Sequence, residues 1–149
     1  MSLRMRHLAV DHGTRRIGLA ASDESGVVAR PLGVIRHVSR AQDAERVAAS
    51  AAELGAVVII VGLPRDSMGD IGPQARHVLR FVEALEKVTP LPVRLWDESY
   101  STATARSIRR RGGRGQPLDA LAAAALLQDF LDAGGPGESL AAARGAPPA

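Results

Sequence analysis

The chain reads as an α/β domain on a five-stranded mixed sheet, three antiparallel strands followed by two parallel ones, with helices on its flanks. Three observations predict this. Short apolar runs separated by glycine-containing turns fill the first third, an unbroken β-branched run follows a helical pattern, and a second helix-to-strand alternation follows that.

The first three runs are His7 to Asp11, Ile17 to Ser22 and Val27 to Ile35. The turns His12-Gly13-Thr14-Arg15 and Asp23-Glu24-Ser25-Gly26 between them predict an antiparallel meander. Ala44, Val47, Ala48, Ala51 and Leu54 then fall at helical spacing, ended by Gly55. Val57-Val58-Ile59-Ile60-Val61, closed by Gly62-Leu63-Pro64, predicts a strand buried on both faces, as in a parallel sheet. A second helix carries Ala75, Val78, Leu79, Val82 and Leu85 before Pro90 and Pro92. Next come a strand over Val93 to Trp96, a polar helix from about Thr102 to Arg111, and a final helix from Pro117 to about Asp132.

A length of 149 residues with 46% apolar content provides one core, placed in residues 1–133. Residues 134–149, rich in Gly, Pro and Ala, carry little apolar mass and are expected to be a disordered tail. The absence of cysteine excludes a disulfide framework and a thiolate metal site, which suits a reducing cytosol. No run has the form of a signal peptide or the length of a membrane span, so the expected location is cytoplasmic, with no membrane partner. The formal charge is +3, and Lys87 is the only lysine among 19 basic residues. Arginine is the better bidentate partner for phosphate, although a GC-rich genome produces the same bias.

The chemistry is carried by three acids. Asp11 ends the first apolar run and turns through Gly13, Glu98 follows the run Val93 to Asp97, and Asp119 opens the last helix behind Pro117. Taken alone, each reads better as a solvated turn residue or a helix-terminal acid than as a ligand. Together, if their strands are neighbours, they bring three carboxylates to one point, where like charges repel unless a cation sits between them. Oxygen-only ligands suit Mg²⁺ or Mn²⁺, and two such ions roughly 3.5–4 Å apart serve phosphodiester hydrolysis. Asp97 is the alternative to Glu98, since adjacent strand residues face opposite ways.

No acid lies between Glu98 and Asp119, and that gap holds Arg106, Arg109, Arg110, Arg111 and Arg114 with Gly112, Gly113 and Gly115. Such a stretch at the rim of a metal site suits a polyanionic backbone, and Arg15 and Arg16 approach from the other side. A solvated charged face explains the same run. Phe81, Trp96, Tyr100 and Phe130 are too few to read single-stranded bases by stacking, so recognition of backbone and shape is expected.

Four ordered motifs across residues 7 to 133 resemble the YqgF/RuvX family. They are Asp11-His12-Gly13-Thr14-Arg15-Arg16-Ile17-Gly18, Gly62-Leu63-Pro64 with Gly72-Pro73, Trp96-Asp97-Glu98 with Ser101-Thr102, and Asp119-Ala120-Leu121-Ala122-Ala123 before Leu126-Leu127-Gln128. The resemblance implies a ribonuclease H-like fold, related to RuvC-type resolvases. It also implies a metal-dependent nuclease maturing the 5′ end of the 16S rRNA precursor, with cleavage of branched DNA in some members. The family's acids fall on Asp11, Glu98 and Asp119. Two departures stand out: Ser99-Tyr100 where the family usually has Arg-Leu, and Arg65-Asp66-Ser67 where it usually carries an Asn. The implied partner is structured precursor rRNA or branched DNA, with ribosomal particles in the first case. Resolving a symmetric junction calls for a homodimer, whereas trimming an RNA end needs only a monomer. A non-catalytic nucleic-acid-binding module needs the arginines but not the acids. The phosphate loop of actin-like and sugar-kinase ATPases also resembles the Asp11 motif, but those hold nucleotide between two such domains, and 149 residues have room for one unless a dimer supplies the second wall.

Overall fold

The computed structural model describes residues 5–98 and 117–145, so the polar helix expected at about 102–111 and the arginines from Arg106 to Arg114 lie outside the described residues. Five strands are formed: β1 (His7–His12), β2 (Arg16–Ser22), β3 (Ala29–Arg36), β4 (Val58–Leu63) and β5 (Val93–Asp97). The described helices are α1 (Arg40–Leu54), α2 (Pro73–Val88), α3 (Leu118–Ala133) and the short α4 (Leu140–Ala143). The strand order is β3-β2-β1-β4-β5, with β1 antiparallel to β2, β2 antiparallel to β3, and β1, β4 and β5 parallel. This is the expected mixed sheet, but the two acid-bearing strands β1 and β5 are not the neighbours expected from the sequence, since β4 stands between them.

The two-residue period of the strands sorts their side chains between two cores. Leu8, Val10, Ile17, Leu19, Ile59, Val61, Val93 and Leu95 face α1 and α2, where Val47, Val78, Phe81 and Leu85 cover them. Ala9, Ala20, Ala29 and Ile60 face α3, which answers with Ala123, Ala124, Leu127 and Phe130. Alanine against alanine brings α3 close to the sheet, and Gly18 of β2 marks the closest approach. A Cβ there would stand 1.9 Å from the Asp119 carbonyl oxygen. The buried Gln128 fastens the other end of this packing, accepting from Ala29 N at 3.0 Å and donating to Val27 O at 2.9 Å. Among the described residues, no helix is long and apolar enough to cross a membrane.

Local signals explain the helix ends. Ser39 caps α1 by accepting from Gln42 N, so the helix starts at Arg40, four residues before Ala44, and Gly55 closes it in the left-handed conformation at φ 75°. Pro73 opens α2 at a position where its missing N–H is no loss.

The chain after α3 departs from the expectation of a disordered tail over residues 134–145. Glu138 exchanges two 2.8 Å backbone hydrogen bonds with Leu95 on the free edge of β5, and Arg94 donates to Pro136 O at 3.0 Å and Gly137 O at 2.7 Å. Arg65 grips the Glu138 carboxylate with contacts of 2.8 and 3.0 Å, Leu140 packs on the core, and Ala143 is buried. Little apolar mass is needed here, because this segment is held largely through main-chain groups. Glu138→Ala is expected to cost about 1 kcal/mol, since the pair is partly exposed, and to speed hydrogen exchange at the Leu95 and Glu138 amides. Unchanged exchange at both amides would show that the backbone ladder alone holds the segment.

Candidate active site

Alternation along the strands decides which acids meet. Asp11 shares the α3-facing side of β1 with Ala9, and its register partner on β2 is Gly18. On β5, Val93 and Leu95 point to the α1/α2 core, so Asp97 does too and Glu98 falls on the α3 side with Trp96. Asp97 is exposed and pairs with Arg65 Nε at 3.2 Å. Glu98, not Asp97, therefore reaches Asp11.

That meeting spans an intervening strand, and Gly62 of β4 makes it possible. A Cβ on Gly62 would lie 2.7 Å from both Cγ and Oε1 of Glu98, so the Glu98 side chain lies across a bare backbone. Gly18 and Gly62 together are the two Cβ-free positions under the acids. Both stood inside the motifs, but only a strand glycine on the sheet face of a charged neighbour would have signalled their part.

Glu98 hydrogen-bonds to Asp11, and its pKa is pushed up to about 9 by burial first, then by that hydrogen bond and the negative charge of Asp11. At neutral pH Glu98 therefore carries a proton directed at Asp11. Among the described residues, no arginine or lysine forms an ion pair with either carboxylate. Two close carboxylates held together by a proton, offering only oxygen donors, fit a hard divalent cation that would replace the proton.

Asp119 sits in the first turn of α3, over Gly18 and hence beside Asp11 in the sheet, but its carboxylate turns to Arg16, with Oδ2 3.4 Å from Nε. Among the described residues, no three His, Asp or Glu side chains stand close enough to hold one metal ion. Arg15, in the turn after β1, and Arg16, which opens β2, are both exposed, and Gly13 N closes the turn by donating to Arg16 O at 3.0 Å. Next to Glu98, the departing loop Arg65-Asp66-Ser67 lines an open hollow of about 480 Å³.

His12, one residue beyond Asp11, faces the opposite core. Its ring stacks on Phe81 at 4.3 Å and lies 5.1 Å from His77, and its Nδ1 is buried with no hydrogen-bond partner among the described residues. Burial first, and then the charge of His77, lower its pKa to about 4. The unfolded chain takes up this proton near pH 6.5 and the folded one only near 4, so folding stability falls as pH drops through that window. His12→Phe keeps the stack and is expected to flatten this acid limb in urea titrations between pH 7 and 4. An identical limb in the variant would assign the loss to other groups.

A "Putative pre-16S rRNA nuclease" of Thermoanaerobacter pseudethanolicus is 39% identical over 134 residues, covering 86% of this chain and 96% of that protein. One of the same name from Mycobacterium tuberculosis is 43% identical over 135 residues, covering 87% of this chain and 79% of that protein. Among solved structures, Thermus thermophilus RuvC shares the fold with a TM-score of 0.60 at 16% identity, covering 87% of this chain and 95% of RuvC. The fowlpox virus Holliday junction resolvase shares it at 0.52 and 13% identity, covering 87% and 99%. Residues 5–133 match the family model described as "RuvX: Holliday junction resolvase", and with relatives at this identity the chain belongs to the RuvX family.

Proposed function

We propose that this chain is a divalent-cation-dependent nuclease that hydrolyses phosphodiester bonds, acting in maturation of the 5′ end of the 16S rRNA precursor. The Asp11–Glu98 pair carries the reading, because two carboxylates that share a proton and offer only oxygen donors are a cation site in its protonated state. The relatives named as pre-16S rRNA nucleases support the substrate.

Asp11 and Glu98 would hold the cation, with Asp119 the third carboxylate within reach of the same side of the sheet. The chemistry supplied there is polarisation of a phosphoryl oxygen and a water of lowered pKa, from one Mg²⁺ or Mn²⁺ or from two. Glu98 would give up its shared proton in order to hold such an ion. Arg15 and Arg16, joined by Arg106, Arg109, Arg110, Arg111 and Arg114 in the intervening sequence, supply the guanidinium groups for a nucleic-acid backbone.

Branched DNA is the second substrate reading, favoured by the description of the matched family as Holliday junction resolvase. Matched labelled substrates, a structured precursor rRNA end and a four-way DNA junction, separate the two when incubated with Mg²⁺ or Mn²⁺ and with chelator. Cation-dependent cutting of the RNA end is expected. Preferential cutting of the junction would reassign the substrate, and binding of both without cutting in any condition would make the chain a nucleic-acid-binding module.

A further inference from the structure

The third acid is engaged elsewhere. Asp11 and Glu98 hold each other, whereas the Asp119 carboxylate is taken by Arg16. We infer that Arg16 is a positioning residue that keeps Asp119 away from the Asp11–Glu98 pair until a nucleic-acid phosphate takes the guanidinium, so that substrate binding completes the cation site. This rests on the nuclease reading above.

Three observations carry it. First, the Asp119 backbone is pinned against β2, its carbonyl oxygen 1.9 Å from where a Gly18 Cβ would stand, and Gly18 is the register partner of Asp11. Only side-chain rotation is left to choose between Arg16 and Asp11. Second, the pair is loose, at 3.4 Å with side chains 66% and 34% exposed. Such exposed pairs contribute little, and a phosphate bound bidentate by the guanidinium readily displaces them. Third, Arg16 opens β2 beside the turn that follows Asp11, so a phosphate that engages Arg16 lies next to the acids.

Coupling of this kind is reciprocal: nucleic acid tightens cation binding by the factor by which the cation tightens nucleic acid. Mn²⁺ affinity is the readout, measured by titration calorimetry on the whole chain. Without nucleic acid, Arg16→Gln is expected to bind Mn²⁺ about tenfold more tightly than the wild type, in the usual range for coupled sites. Arg15→Gln removes the same charge one residue away and reports the general electrostatic gain, expected to be about twofold. Arg16→Lys keeps the pair and should match the wild type. The gain should vanish in Arg16→Gln/Asp119→Asn. A short duplex with phosphorothioate linkages should tighten Mn²⁺ binding to the wild type about tenfold and leave Arg16→Gln unmoved. Equal gains in Arg16→Gln and Arg15→Gln, or a gain that survives Asp119→Asn, would overturn the inference while leaving an Asp11-dependent cation site, and with it the nuclease reading, intact. No Mn²⁺ binding by the wild type or any variant would overturn both.

Discussion

Asp11→Asn is expected to fold as the wild type does and to lose cation-dependent cleavage by about a thousandfold, the equivalent of ~4 kcal/mol of transition-state stabilisation. The substitution changes no volume, and a neutral Glu98 can still donate to the amide oxygen, so the packing around β1 has no reason to change. What disappears is the charge that both raises the Glu98 pKa and attracts a cation. In the cation-free wild type, Glu98 ionises near pH 4.5 when unfolded and near 9 when folded, so folding stability falls as pH rises across that window. Asp11→Asn removes the charge among the three causes of the shift and leaves burial and a hydrogen bond that the amide oxygen can accept, so the window should narrow from its upper end. For the same reason, cation affinity of the wild type should climb with pH up to about 9, with a proton released on binding. Cleavage assays with chelator controls, and urea titrations in chelator from pH 5 to 9, check both parts. A fully active Asp11→Asn protein would end the scheme.

The two glycines under the acids are expected to fail in opposite ways. Gly18→Ala places a Cβ 1.9 Å from the Asp119 carbonyl oxygen and 2.2 Å from its carbon, both backbone atoms of a helix start held by the α3 packing. The helix must move, at a cost of about 3 kcal/mol in unfolding free energy, and Asp119 moves with it. Gly62→Ala instead meets Cγ and Oε1 of Glu98 at 2.7 Å, the outer part of a side chain that can rotate away. Stability should fall by less than about 1 kcal/mol, while cleavage drops about a hundredfold because Glu98 no longer reaches Asp11. Denaturant midpoints and single-turnover cleavage rates, taken on the same preparations, separate the two. A Gly62→Ala protein with wild-type cleavage would mean that Glu98 acts from some other position.

The sequence by itself determined what depends on near neighbours. Periods of two and 3.6 in the apolar residues gave the order and type of the described elements from β1 to α3, and the same alternation sorted Leu8 and Val10 from Ala9 and Asp11. It also brought out Asp11, Glu98 and Asp119, because acids stood where apolar runs end and a helix begins. Only the tertiary structure decided the rest. The placing of β4 between β1 and β5, the choice of Glu98 over Asp97, the need for bare backbone at Gly18 and Gly62, and the pairing of Asp119 with Arg16 all follow from strand order and register. The fastening of residues 134–145 to the edge of β5 was equally hidden, since main-chain donors and acceptors are common to every sequence. Periodicity records which face a residue turns to the core; contacts between residues distant in the chain are settled when those faces pack.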